Sequence, residues 1–257
     1  MKYLIYCIFE NPRDRNISVL PPTDGHPVHV IEKQGLCAVY SEISSIVEAR
    51  EISEMINYHR VIESFFNQVT VVPFRFGTVL DEHGDVDRLL SNRAEHYREI
   101  LKDLEGCVEM GIRAIMDGWE IPPVERHDSS GTSSSDAANP GKLYLSSRKK
   151  HYSAESLLSE NNQQATERFR DAFTGMFRRF RSEFSRLEVQ QDSSNAILLS
   201  LYFLVPKDAL SQFRQTFAEL VSAETARLML SGPWPPYNFV LPGEPAVGAD
   251  PCVRPFV

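Results

Sequence analysis

Chemistry in this chain would have to start from a small set of side chains: His59, Arg75 and the four cysteines Cys7, Cys37, Cys107 and Cys252. A histidine titrates near neutrality and is the commonest general base. His59 lies three residues from both Ile56 and Ile62, a spacing that puts it on the apolar face of a helix. No recognisable motif sets a serine or cysteine beside it, and the chain carries no H-E-x-x-H, no paired-acid signature and no nucleophile elbow. His59 therefore reads as a core histidine with satisfied ring nitrogens, and the chain as a protein without catalytic activity.

Arg75 stands in "VVPFRFGTV", where strict alternation places Val72, Phe74 and Phe76 on one face and Val71, Arg75 and Val79 on the other. A guanidinium in an apolar row must be hydrogen-bonded or paired, so Arg75 reads as a structural arginine rather than an anion receptor. Gly77 alone does not make a phosphate cradle. The cysteines are far apart, with no C-x-x-C pair and no histidine at zinc-ligand spacing. They read as buried free thiols. No cofactor or metal is expected.

The elements that must position these groups belong to a chain of 257 residues with 42% hydrophobic side chains, enough for two modest cores. A formal net charge of -8 argues against a nucleic-acid partner, which demands a positive surface. No run approaches the roughly 20 apolar residues of a membrane span, so no membrane partner is expected. The opening "MKYLIYCIFE" is too short in its apolar part for a secretory signal. These features place the protein in the cytoplasm.

"KYLIYCIF" reads as a buried strand, and "HPVHVIEKQGLCAVYSEI" as a hairpin with strands Val28 to Glu32 and Leu36 to Ser41. Ile52, Met55, Ile56, His59, Ile62 and Phe66 then line one face of a helix. After the extended "TVVPFRFGTVL", Val86, Leu89, Leu90, Tyr97, Ile100, Leu101 and Leu104 mark a second helix ending at Gly106. "CVEMGIRAIM" begins a new strand. The polar stretch at 125–140 has little to pack and is expected to be a mobile loop. A helix or broken helix is expected from Ser153 to Leu187, then the strand "AILLSLYFLV", a helix from Lys207 to about Ser222, and the strand "ARLMLSG". This predicts an α+β protein: an N-terminal mixed α/β domain over 1–106, a ferredoxin-like domain over 107–232 with one strand missing or displaced, and an extended tail over 233–257.

The segment "ERFRDAFTGMFRRFRSEFSRLE" strings Phe169, Phe173, Phe180 and Phe184 along the expected helix with arginines around the rest. Burying each large ring is worth roughly 1.5–3 kcal/mol, and the interleaved Glu167, Asp171, Glu183 and Glu188 dilute the basic face. Core packing is expected, not a membrane or RNA surface. The glycine and prolines of "LSGPWPPYNFV" should end the last strand at Ser231. Trp234, Pro235, Pro236, Tyr237 and Phe239 then follow an extended path whose rings are too apolar to stay wet. They are expected to dock on the ferredoxin-like sheet or in the groove between the two domains.

Taken in order, "YLIYCIF", the "HRVIESF" helix leading to "TVVPFRFGTV", "VEMGIRA", "GKLYLSSR" and the closing "LSGPWPPYNFV" resemble the gas vesicle protein F/L family over nearly the whole chain. The closing segment is more similar to the F branch. Within this resemblance His59, Pro73, Arg75, Phe76 and Gly77 belong to the family's motif. It implies a non-enzymatic accessory protein, located at the gas vesicle, that helps the vesicle shell to assemble or forms a minor part of it. The implied partners are the hydrophobic shell protein and other minor gas vesicle proteins. The competing readings are a small-ligand-binding protein or enzyme using the ferredoxin-like domain, with His59 and Arg75 in its site, and a general interaction adaptor.

Overall fold

The structure is a computed structural model that describes residues 1–12, 17–18, 26–44, 52–116, 162–188, 195–224 and 226–240. The expected loop at 125–140, the "GKLYLSSR" segment and Cys252 lie outside the described residues. The elements follow in chain order as β1 (Lys2–Glu10), β2 (Val28–Lys33), β3 (Leu36–Ile43), α1 (Ile52–Phe66), β4 (Val72–Pro73), β5 (Val79–Leu80), α2 (His83–Asn92) and α3 (Ala94–Leu104). Then come β6 (Cys107–Met116), α4 (162–172), β7 (Arg179–Glu188), β8 (Asn195–Pro206), a 3-10 turn (Lys207–Ala209), α5 (Leu210–Ala223) and β9 (Arg227–Trp234). The fold is α+β, with two antiparallel sheets.

The first sheet runs β2-β3-β1-β4, with β5 also paired to β1. Alternation in β1 is lost because both of its faces are covered. Leu4 and Tyr6 pack in one hydrophobic cluster with Cys7 and Phe9, while Ile5 and Ile8 pack in another. A register shift between Ile5 and Cys7 accounts for the change of parity. The first cluster takes Tyr58, Ile62, Phe65 and Phe66 from α1, and the second takes Val86, Leu89, Leu90, Tyr97, Ile100, Leu101 and Leu104 from α2 and α3.

The second sheet has the order β7-β8-β6-β9, every neighbour antiparallel, and its elements follow as strand, helix, strand, strand, helix, strand. The strand that the sequence reading lacked is β7. The helix or broken helix expected from Ser153 to Leu187 is, over the described residues, a helix followed by a strand: α4 stops at 172, and Phe180 and Phe184 belong to an extended strand. Gly175, with φ +84°, occupies the left-handed region in the turn between them. A repeating Phe-Arg pattern fits both a helix and a strand face, and here pairing with β8 decides in favour of the strand. Phe169 of α4, Phe173 in the turn after it, Phe203 of β8 and Phe213 of α5 are fully buried under this sheet. The Phe173 and Phe213 rings stack at 4.3 Å, each also within 5.3 Å of Phe203.

Three further expectations change. The single helix over Val86 to Leu104 is two helices that break at Arg93. The last strand does not stop at Ser231 but continues through Pro233 to Trp234, which an edge strand permits because its outer N–H groups have no ladder to serve. The extended run after α1 splits into the two residues of β4 and the two of β5, with residues 76–77 turning between them and Gly77 at φ +84°. The chain crosses between the sheets at Gly106, yet both clusters draw on both sides of it: Val108, Met110 and Phe203 share the first with Tyr6 and Phe65, and Leu204 and Phe239 share the second with Ile5 and Leu90.

Candidate functional site at the tail groove

β9 enters the site through Gly232, whose φ is +107° and where a Cβ would sit 2.6 Å from the Glu109 carbonyl oxygen and 3.1 Å from the Met110 sulfur. Only glycine brings the tail this close to β6. Beyond it, two tight turns, Tyr237 N donating to the Pro235 carbonyl at 2.8 Å and Phe239 N to that of Pro236 at 3.2 Å, fold residues 235–239 against the sheets. Pro235, Pro236 and Phe239 are buried, and Tyr237 is half-buried.

Among the described residues, four side chains hold this segment. Glu109 of β6 accepts from Asn238 twice, from the backbone N–H at 2.8 Å and the side-chain amide at 2.6 Å. Arg181 donates to the Asn238 carbonyl at 2.7 Å, and Arg179 to the Phe239 carbonyl at 3.2 Å while its guanidinium lies 5.6 Å from the centre of the Phe239 ring. Arg179 also pairs with Asp103 of α3 at 2.6 Å. His59 of α1 completes the set, with Nδ1 2.9 Å from the Tyr237 hydroxyl and its ring 5.3 Å from that of Trp234.

Burial pushes the Glu109 carboxyl up to about 6, against the opposing pull of the Asn238 hydrogen bonds and the Arg181 charge. Burial also pushes the Tyr237 and Tyr58 phenols far above their ordinary range. Cys7, Cys37 and Cys107 are buried free thiols, with Cys37 pushed up to about 11 and Cys7 higher still, mainly by burial. Such thiols are protonated at neutral pH and make poor nucleophiles.

Of the residues singled out from sequence, the structure brings His59, Trp234, Pro235, Pro236, Tyr237 and Phe239 together. His59 is not the satisfied core histidine expected: its ring faces the tail, and Nε2 is buried with no hydrogen-bond partner among the described residues. Arg75 is a correction. It is exposed, and its side chain makes no hydrogen bond or ion pair among the described residues. The reason is local: β4 ends at Pro73, so the alternation that would have turned Arg75 inward does not persist. Its backbone carbonyl instead accepts from Thr78, both N–H and Oγ1. Pro73 pairs with Cys7 across the β1–β4 ladder, and Phe76 packs edge-on against Tyr58 at 5.2 Å.

Sequence reasoning missed Glu109, Asn238, Arg179 and Arg181. One signal was available: Glu109 is the acidic residue inside the apolar run "CVEMGIRAIM", the same anomaly that drew attention to Arg75. The stripe on α1 was also misjudged. Ile62 and Phe66 are buried as expected, but Ile52 is 78% exposed, Met55 49% and Ile56 47%. Met55 and Ile56 lie one helical turn before His59, whose ring contacts Trp234, itself 39% exposed. A separate open cleft of about 640 Å³, bordered by Glu10, Phe66, Arg98, Lys102 and Lys207, contains neither His59, Arg75 nor any of the tail aromatics.

Among the described residues no group of three or more His, Cys, Asp or Glu side chains is placed to hold a metal. No helix among them is long and apolar enough to cross a membrane. What the arrangement can do is present a fixed apolar surface on a latched tail.

Comparison with known proteins gives a consistent result. The family model described as gas vesicle synthesis protein GvpL/GvpF matches residues 2–241. Gas vesicle protein L1 of Halobacterium salinarum is 22% identical over 250 residues, covering 91% of this chain and 89% of that protein. Gas vesicle protein F of a Streptomyces species is 24% identical over 219 residues, covering 83% and 88%. Similarity therefore extends to relatives of both the L and the F name. The fold resembles the crystal structure of gas vesicle protein GvpF from Microcystis aeruginosa, with a TM-score of 0.65 and 19% identity over 93% of this chain and 99% of that one.

Proposed function

The chain belongs to the gas vesicle synthesis protein GvpL/GvpF family, and on that premise we propose that it is a non-enzymatic accessory protein that binds the hydrophobic gas vesicle shell protein and assists its assembly. Its place of action is the gas vesicle in the cytoplasm, with other minor gas vesicle proteins as further partners. We read its second sheet as a ferredoxin-like unit, from the order strand, helix, strand, strand, helix, strand, and the part after Gly106 as a separate domain with the tail as its extension.

One observation carries the proposal: Ile52, Met55 and Ile56 are exposed at helical spacing and lead through His59 to the exposed Trp234. An apolar surface of this kind on an acidic protein supports an interaction role. A shell protein with a strongly apolar side aggregates unless its apolar surface is covered until it adds to the shell. The tail fits the task because it is held from below. Phe239, Asn238 and Tyr237 are anchored, which keeps Trp234 in place without the ordering cost of a free arm.

The proposal is tested by restoring the gene to gas-vesicle-forming cells that lack it and measuring the turbidity that disappears when pressure collapses the vesicles. The wild-type chain should restore it, and a chain carrying Met55→Glu and Ile56→Glu should not. Both residues are exposed, so the variant should fold. Full restoration by the double variant would refute the assignment of this surface.

A further inference from the structure

We propose that β7 pairs with the β7 of a second copy of this chain, making a two-fold dimer with a continuous eight-stranded sheet. Among the described residues the sheet edges differ in how they are guarded. β9 carries Pro233 and a register shift opposite Glu109 and Gly111, while β4 and β5 are two residues each. β2 has six residues and follows Pro27 directly. β7 has ten residues, no proline, and an unbroken register against β8. A long, regular edge presents unpaired backbone groups to any strand that fits it.

Of the three registers centred on residues 181, 182 and 183, the side chains of β7 fit their own copy in one. A two-fold axis normal to the sheet pairs residues of like parity, so each candidate register centres on one residue facing itself. Centred on Ser182, Arg181 faces Glu183 of the second copy and Phe180 faces Phe184, each pair occurring twice. At the ends Arg179 faces Ser185. Centring on Arg181 sets two arginines against each other, and centring on Glu183 sets two glutamates; either like-charged pair is unfavourable. Arg181 and Glu183 are exposed, and Phe184 is 42% exposed although it is a large apolar ring. Its position opposite Phe180 would cover it.

Light scattering on the full-length chain tests the idea. Its mass should rise with concentration from one copy towards two. Glu183→Arg should leave it monomeric, because each arginine then faces another, and Arg181→Glu combined with Glu183→Arg should restore the dimer. Arg181 also holds the tail carbonyl of Asn238, so the double variant is melted alongside the wild type to check that it folds. Ser182→Cys gives a second readout. Mild oxidation should link two copies at Cα separations suited to a disulfide, about 4.4–6.8 Å, whereas Ser185→Cys, facing Arg179, should not link. A wild-type chain that stays monomeric at every concentration, a dimer indifferent to Glu183→Arg, or linkage through position 185 and not 182 would each overturn the proposal.

Discussion

Replacing Phe239 by alanine should cost more stability than any other change in the tail. Phe239 is fully buried in the cluster built by Ile5, Leu36, Leu90 and Leu204, and the Arg179 guanidinium lies against its ring. Phe→Ala at such a site removes roughly 3–5 kcal/mol, the transfer free energy of the ring plus a cavity that the surroundings only partly fill. For a chain of this size about 1 kcal/mol moves Tm by roughly 2–4 °C, so the variant should melt about 6–20 °C below the wild type. Trp234→Ala is the internal control, since that ring is 39% exposed and its removal should cost about 1 kcal/mol or less. Differential scanning calorimetry on both variants, with dye binding as a report on exposed apolar surface, checks the difference. A Phe239→Ala protein that melts within about 2 °C of the wild type would show that the ring is not anchored in solution, and the latch would fall with it.

Three other outcomes follow from the same geometry. Glu109 has its carboxyl raised from 4.5 to about 6 in the folded protein, so the folded state holds this proton more tightly than the unfolded chain. Its contribution to stability is therefore fully present below about 4.5 and lost as pH rises through about 6. Comparing urea denaturation of wild type and Glu109→Gln, the stability difference should move in favour of the wild type by on the order of 2 kcal/mol between pH 7.5 and 4.5; a constant difference would contradict the burial of this group. Gly232→Ala should destabilise by roughly 1–3 kcal/mol in the same assay, because it needs a positive φ and has no room for a Cβ; an unchanged midpoint would show that the tail does not approach β6 this closely. Arg75→Ala should alter stability by less than about 0.5 kcal/mol, since the side chain is exposed, and a large loss would restore the structural role first assigned to it.

Where burial is continuous, the fold was legible in the sequence: the first strand and hairpin, the existence of α1 and α5, and the strands at Cys107 and Ala196 all follow from apolar runs and their punctuation. Legibility failed where two periods fit one segment. Phe169, Phe173 and Phe180 satisfy a helix, and only pairing with β8 makes a strand of the second half, a tertiary decision that no window along the chain contains. Arg75 and Glu109 show the same limit from the other side. Both are charges in apolar runs, but β4 ends before Arg75 and β6 continues past Glu109, so one is solvated and the other must find Asn238 some 129 positions away. The aromatics of the tail could be picked out from composition, whereas the arginines that grip its carbonyls could not, because Arg179 and Arg181 acquire that role only from the position of β7. The exposed half of the α1 stripe was missed because three-and-four spacing says which residues share a face, not whether anything covers it.

The most direct test of the account is capture of the gas vesicle shell protein, co-expressed with affinity-tagged versions of this chain, and quantified against bait. Wild type and Arg75→Ala should retain it equally. Ile56→Glu and Trp234→Ala should each reduce the captured amount by about tenfold or more, as expected for the centre of an apolar interface, with Tm unchanged for Ile56→Glu. Equal capture by all four, with each folded, would contradict the claim that the surface joining α1 to the latched tail binds the shell protein.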